Sequence, residues 1–275
     1  MYPLAQLLMG WRNSMYSHHE ETIQNVVKYF QNEPEVEALI LGGSLAHGHA
    51  SPVSDIDVMI IVTDQNYTKR FNEGNLQFFN RELCTYPEGY VDGKYLGMSH
   101  LTQVAEKGSE PARYAFQDAR VLFSRNDSIN DQIRSIARYP VTHKAERMRR
   151  FYALLEAWNW YVGEALKSQN RYLLGVAISK LVLFGGRLIL THNELLYPYH
   201  KWFLRVLADA KEKPPTLLML IESLYQTPSA ENAQSFYELV RDFRDWGILD
   251  NGWPVQFMLD SELNWQTGST PVDDL

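Results

Sequence analysis

Two short apolar runs, Val36–Leu41 and Ile56–Val62, constrain this chain more than any other feature. Each has strand length, each is rich in aliphatic residues, and the first stops at Gly42-Gly43. They predict two buried strands. Between them lie glycines, Ser44 and Asp55, and Asp57 sits near the start of the second run. Upstream, Ile23, Val26, Val27 and Phe30 repeat at three and four residues, which predicts a helix over 17–31 halted by Pro34. Downstream, 66–80 reads as helix, and 82–86 and 90–98 read as strands around a Pro87-Glu88-Gly89 turn. Residues 120–124 read as a closing strand.

Past Arg125 the pattern changes and becomes helical throughout. Residues 142–168 carry Phe151, Leu154, Leu155, Trp158 and Val162 on one face, and 171–191 are apolar nearly all round, as in the middle of a bundle. Further helices are expected over 199–211, 215–225 and 229–245, and the last ten residues read as loosely held. The fold class is therefore α+β, with a mixed sheet and helices over 1–125 and an all-α bundle over 126–275. A chain of 275 residues, 45% hydrophobic, supports two such domains.

Composition narrows the function. Cys84 is the single cysteine, so an intrachain disulfide and a cysteine-based zinc site are excluded, and a buried thiol is expected. Met1–Gly10 has no signal-peptide pattern, and no uninterrupted apolar run approaches about 18 residues. The expectation is a cytoplasmic protein with no membrane partner. A net charge of −7 disfavours a broad grip on nucleic acid. The basic stretch 134–150 reads as a solvated helix face or, alternatively, a phosphate-facing patch.

The chemistry concentrates in Leu41-Gly42-Gly43-Ser44-Leu45-Ala46-His47-Gly48 and Ser54-Asp55-Ile56-Asp57-Val58. Glycines at a strand-to-helix turn let backbone approach a ligand, and free N–H groups there suit a phosphate. Ser44 adds a hydroxyl. Asp55 and Asp57, two apart on a strand, share one face and repel each other unless a cation lies between them. Hard oxygen ligands in that arrangement suit Mg²⁺, which uses few protein carboxylates plus substrate phosphates.

Gly43-Ser44, ten intervening residues and Asp55-Ile56-Asp57 resemble the signature of the DNA polymerase β-like nucleotidyltransferase superfamily. The wider arrangement is similar to small bacterial members of the kanamycin and lincosamide type, which also follow the catalytic domain with helices. The resemblance implies a nucleoside triphosphate substrate, two Mg²⁺ ions held by Asp55, Asp57 and a third carboxylate, and transfer of a nucleoside monophosphate to a hydroxyl. Asp92, in the strand-like stretch 90–95, is the candidate third carboxylate and proton acceptor; Asp64 and Asp118 are alternatives. Many relatives carry Arg where this chain has His47. Gly43, Ser44 and His47 are the expected phosphate contacts, joined from the helical part by Lys180, set in an apolar helix, and by Tyr197 and Lys201 at a helix junction. Glu156 and Glu164 read as surface charge.

The acceptor is expected to be a small molecule, an antibiotic or an ordinary metabolite, and the donor ATP. Two other readings compete. One is a toxin–antitoxin-type AMP transferase acting on protein or RNA, for which Arg187 and His192 fit an Arg-x4-His spacing that chance readily supplies. The other is an inactive nucleotide-binding module, against which the retained carboxylates argue.

Overall fold

The computed structural model describes residues 15–247, 252–266 and 268. The chain divides into two compact units, one ending at Arg138 and the other beginning at Tyr139. In the first unit the elements run α1 (Ser17–Gln31), β1 (Val36–Leu41), α2 (Gly43–Ala46), β2 (Ile56–Val62), α3 (Asp64–Asn72), β3 (Gln77–Asn80), β4 (Val91–Gly97), α4 (Met98–Lys107), α5 (Glu110–Tyr114), β5 (Arg120–Ser124) and α6 (Ile129–Ile136). Among the described residues five strands form one sheet in the order β3-β4-β2-β1-β5. β2 is central: it pairs antiparallel with β1 and parallel with β4.

Both faces of the sheet are covered, which explains why β1 and β2 are apolar nearly throughout. Ile56, Val58, Ile60 and Val62 pack with Ile23, Val26 and Phe30 of α1 in one layer. Met59 and Ile61 pack on the opposite face with Leu101 and Val104 of α4 and with Ile129, Ile133 and Ile136 of α6. The alternation assigns Asp57 to this second face, ahead of Met59.

Four sequence expectations for the first unit need correction. The helix expected over 66–80 stops at Asn72, because Gly74 takes a left-handed backbone (φ 68°) and ends it, and Gln77–Asn80 then pair with β4 as an edge strand. Residues 82–86 form no strand: side chains of α1 satisfy this backbone, Asn25 donating to the Leu83 carbonyl (3.1 Å) and the Thr22 hydroxyl accepting from the Thr85 amide (3.1 Å). The boundary expected at 125/126 moves to 138/139, since α6 completes the second layer of the sheet unit. Cys84 is half-buried rather than sealed, and partial burial pushes its thiol upward. The expectations for Met1–Gly10 and for the last ten residues fall wholly or largely outside the described residues.

The second unit contains α7 (Lys144–Lys167), α8 (Arg171–His192), α9 (Phe203–Asp209), α10 (Leu217–Gln226), α11 (Ala230–Arg241) and α12 (Gly252–Phe257). α7 and α8 form an antiparallel hairpin whose core includes Leu155, Val162, Leu181, Leu188, Phe203 and Phe236. Gly186 lets α9 approach: a Cβ there would lie 2.3 Å from the Phe203 ring. By length and composition α8 could cross a bilayer (22 residues, mean hydropathy 1.9), which corrects the reading from run length; half of its apolar window is buried within this unit. Glu156 is not plain surface charge: its Oε1 accepts hydroxyls from Tyr152 (2.5 Å) and Tyr237 (2.8 Å).

Arg113 holds the second layer of the sheet unit together. Its guanidinium is buried, and it donates to the carbonyls of Gly108 (3.1 Å), Ile136 (3.2 Å) and Ala105 (2.6 Å), tying α4 to α6. Arg113→Met keeps the bulk but strands buried carbonyls. Chemical denaturation should show a loss of roughly 2–5 kcal/mol.

Candidate functional site

The site forms where β1 and β2 meet the turn between them. β1 ends at Leu41, and the Gly42 amide returns to the Asp57 carbonyl (3.0 Å), so the turn folds back over β2. Gly43 then takes a left-handed backbone, φ 61°. A Cβ at this position would lie 1.8 Å from Asp57 Oδ2. Only a residue without a side chain lets the turn rest on that carboxylate. Ser44 follows, buried, and its Oγ has no hydrogen-bond partner among the described residues. A buried hydroxyl without a protein partner is free to donate to a group or water that enters the turn.

The carboxylates converge by strand geometry. Asp55 precedes β2 by one residue and Asp57 is its second residue, so both lie on one face. Asp92 is the register partner of Asp57 across the parallel β2–β4 pair, where strands lie about 4.8 Å apart. Gln77 on β3 donates to Asp92 Oδ1 at 3.3 Å. Among the described residues no three His, Cys, Asp or Glu side chains form a ready-made metal cage. The donor set nevertheless suits Mg²⁺ in character, since this ion takes one or two carboxylates and completes its shell with water and phosphate.

Two tyrosines that sequence reasoning missed belong to the site. The Tyr90 hydroxyl is directed at Asp55, and that hydrogen bond, with the negative charges of Asp55, Asp57 and Asp92, holds the phenol above its ordinary value. The tyrosine is two residues before Asp92, a spacing that puts both on one face and would have identified it. Tyr86 donates to the Ser54 carbonyl at 2.6 Å and so fixes the residue before Asp55. Burial, then Cys84, Asp55 and Tyr90, push its phenol up to about 12. The same loop is pinned where His18 Nε2 meets the Pro52 carbonyl (2.9 Å) and the Ser51 amide meets Ser54 Oγ (2.8 Å).

The remaining candidates fall elsewhere. His47 caps α2 with its ring stacked on Tyr114 (centroids 4.6 Å apart) and Nδ1 3.2 Å from Asp118 Oδ2. Asp118 is therefore the partner of a histidine and no third carboxylate. Asp64 follows the far end of β2 and accepts from the Ser99 amide (2.9 Å), on the first turn of α4. In the helical unit, Lys180 is exposed, which corrects its reading as a cation embedded in an apolar helix; it lies beside Tyr172, Val176 and Ser179 on the open side of α8. Tyr197 is buried, with the Arg187 guanidinium 4.3 Å from its ring centroid, so it is a core residue rather than an open stacking surface. Lys201 is exposed and lies 5.2 Å from the Trp202 ring centre.

The turn yields a paired prediction. Gly43→Ala both strains a left-handed backbone and drives a methyl into Asp57, so denaturation should show a loss of roughly 2–5 kcal/mol. Gly48 also has a left-handed backbone (φ 69°), but nothing lies within 4 Å of a Cβ there. Gly48→Ala should therefore lose only about 1–2 kcal/mol. Equal losses in the two variants would contradict the close approach of Gly43 to Asp57.

Comparison with known proteins follows this geometry. Residues 24–87, from α1 through Tyr86 and the turn after it, match the family model described as "Polymerase beta, Nucleotidyltransferase". No curated relative matches the chain in sequence. Among solved structures it is similar to a nucleotidyltransferase-like protein from Exiguobacterium sibiricum, at 12% identity and a TM-score of 0.47, covering 94% of this chain and 83% of that one. The segment 24–87, which carries the Gly43-Ser44 turn, Asp55 and Asp57, is thus of the polymerase β nucleotidyltransferase kind.

Proposed function

We propose that this protein transfers AMP from ATP to a hydroxyl of a small-molecule acceptor, in a Mg²⁺-dependent reaction in the cytoplasm. The observation that carries the reading is the contact of the Gly43 turn with the Asp57 carboxylate, beside the unpartnered Ser44 hydroxyl and in register with Asp92. An anion-accepting turn and a cation-accepting carboxylate group side by side match the two halves of a metal–triphosphate complex.

Asp55, Asp57 and Asp92 are the residues that would hold Mg²⁺, two ions by the family resemblance. The bound cation would supply charge neutralisation at the triphosphate and lower the barrier to ionising the acceptor hydroxyl. Gly43 brings backbone amides close to the phosphates, and Ser44 Oγ donates to a phosphate oxygen. Asp92 accepts the proton from the acceptor hydroxyl as its oxygen attacks the α-phosphorus in line. The bond between the α-phosphorus and the bridging oxygen breaks, and pyrophosphate leaves with that electron pair. Positioning and electrostatics supply most of the rate, because no covalent intermediate on the protein is needed. Tyr86 and Tyr90 keep Asp55 oriented throughout.

The test is a screen of hydroxyl-bearing acceptors against the four nucleoside triphosphates with Mg²⁺, read as pyrophosphate release. Chelation with EDTA should stop release and added Mg²⁺ restore it. Asp57→Asn should reduce turnover by roughly a thousandfold or more, while the apo protein melts near or above the parent because one of two crowded like charges is gone. Full activity in Asp57→Asn would refute the site assignment.

A further inference from the structure

The row of carboxylates continues to the edge of the sheet. Asp57 on β2 is in register with Asp92 on β4, and Asp92 is in register with Phe79 on β3, the edge strand. Register partners present their side chains to one face, about 4.8 Å apart from strand to strand. Phe79 therefore stands directly beyond Asp92 on the carboxylate face, two strand spacings or about 10 Å from Asp57. It is 55% exposed, whereas Phe78 turns to the opposite layer and meets Phe30 (ring centroids 4.9 Å apart).

Phe79 does not stand alone. Its ring centroid lies 5.3 Å from that of Tyr90, with the planes 31° apart. The Tyr90 hydroxyl in turn is directed at Asp55. The two rings form one surface that runs from the sheet edge to the carboxylates. Two cations border it. The Arg81 guanidinium lies 5.8 Å from the Phe79 ring centre. Lys94, two residues after Asp92 and so on its face, is in register with Gln77. Both cations are exposed, and neither enters an ion pair among the described residues.

Position decides what this surface meets. The turn that would hold the leaving pyrophosphate comes off β1 and rests on Asp57. In-line displacement sets the entering oxygen opposite the leaving one. The acceptor hydroxyl then arrives from the Asp92 side, and the remainder of the acceptor extends over β4 and β3. We propose that Phe79 and Tyr90 are the platform on which a ring of the acceptor lies, with Arg81 and Lys94 meeting a negatively charged group, so that the acceptor is a hydroxylated ring compound bearing an anionic substituent. This rests on the nucleotidyl-transfer reading of the site and names the substrate class for it. The apolar face of a sugar and a planar aromatic ring both pack on such side chains.

The test uses the full-length protein with ATP and Mg²⁺, read as pyrophosphate release with four probes. Glucosyl phosphate and hydroxymethylbenzoate carry a ring and a negative charge, methyl glucoside a ring alone, and glycerol phosphate a charge alone. The two ring anions should show the lowest KM. Phe79→Ala should raise KM for the ring probes roughly five- to tenfold, leave glycerol phosphate unaffected, and keep calorimetric affinity for Mg²⁺ and α,β-methylene ATP within about twofold of wild type. Phe79→Trp should restore the ring-probe KM, which separates loss of the ring face from damage to the edge strand. Arg81→Gln should raise KM for the anionic probes and leave methyl glucoside unaffected. Weaker binding of the ATP analogue in Phe79→Ala, with acceptor KM unchanged, would give the platform to the nucleoside and overturn the proposal. Glycerol phosphate used as well as the ring anions would also overturn it, as would no turnover of either ring anion by a protein that binds the analogue. Failure of the wild-type protein to bind the analogue at all would overturn the reading of the site and this proposal with it.

Discussion

The contact between the Gly43 backbone and the Asp57 carboxylate is the constraint from which the rest of the site follows. It requires a residue without Cβ, since a methyl would stand 1.8 Å from Oδ2. It requires β1 and β2 to be adjacent and antiparallel, so that the turn leaving one strand lies over the start of the next. It also requires Asp57 to leave the apolar layer occupied by Met59 and Ile61, because a carboxylate flanked by those residues could not stay ionised. Asp57 satisfies this by standing at the entry of the strand, next to the polar loop that ends at Asp55. Sheet order then brings Asp92 alongside through the parallel β2–β4 pair.

Much of this was legible in the sequence, and the reason is periodicity. β1 and β2 follow their apolar runs, and α1 follows its three-and-four spacing, because burial on both faces leaves the side chains no alternative. The motif was legible for a different reason: glycine, hydroxyl and paired carboxylates at fixed spacing have few structural uses together. β3 was not legible. Its exposure alternates along a short edge strand, and Phe79 stands outward at 55% exposure, so its apolar content carries a helical pattern as well as a strand pattern. The stop at Gly74 was the signal that should have outweighed it.

The site residues divide along the same line. Asp55, Asp57 and Asp92 share a face by local geometry alone, one just before β2, one on it and one on its neighbour. The pairing of His47 with Asp118 spans 71 residues and depends on how the turn after α5 is placed, which no local pattern encodes. Lys180 fails for a related reason. A lysine in an apolar helix suggests a buried cation only if that helix is enclosed all round, and α8 leaves a side open beside Tyr172 and Ser179. Tyr197 was identified as aromatic at a junction, but its ring was already engaged by Arg187.

Three carboxylates on one face of a sheet would be a poor arrangement if the fold had to hold them unaided. Mutual repulsion favours splaying, and the strands can resist it only through the surrounding hydrogen bonds. Those bonds are present where they matter: Gln77 on Asp92, Tyr90 toward Asp55, Tyr86 on the carbonyl before Asp55, and the polar face of α1 on the loops carrying both. They orient the oxygens without neutralising them. Neutral donors leave the negative charge in place, so the attraction of the cluster for a cation is preserved. Had these partners been arginines or lysines, the carboxylates would have been equally well ordered and far weaker as ligands. Amide and phenol partners separate this acidic cluster from an ordinary network of ion pairs, in which the negative charge would be cancelled.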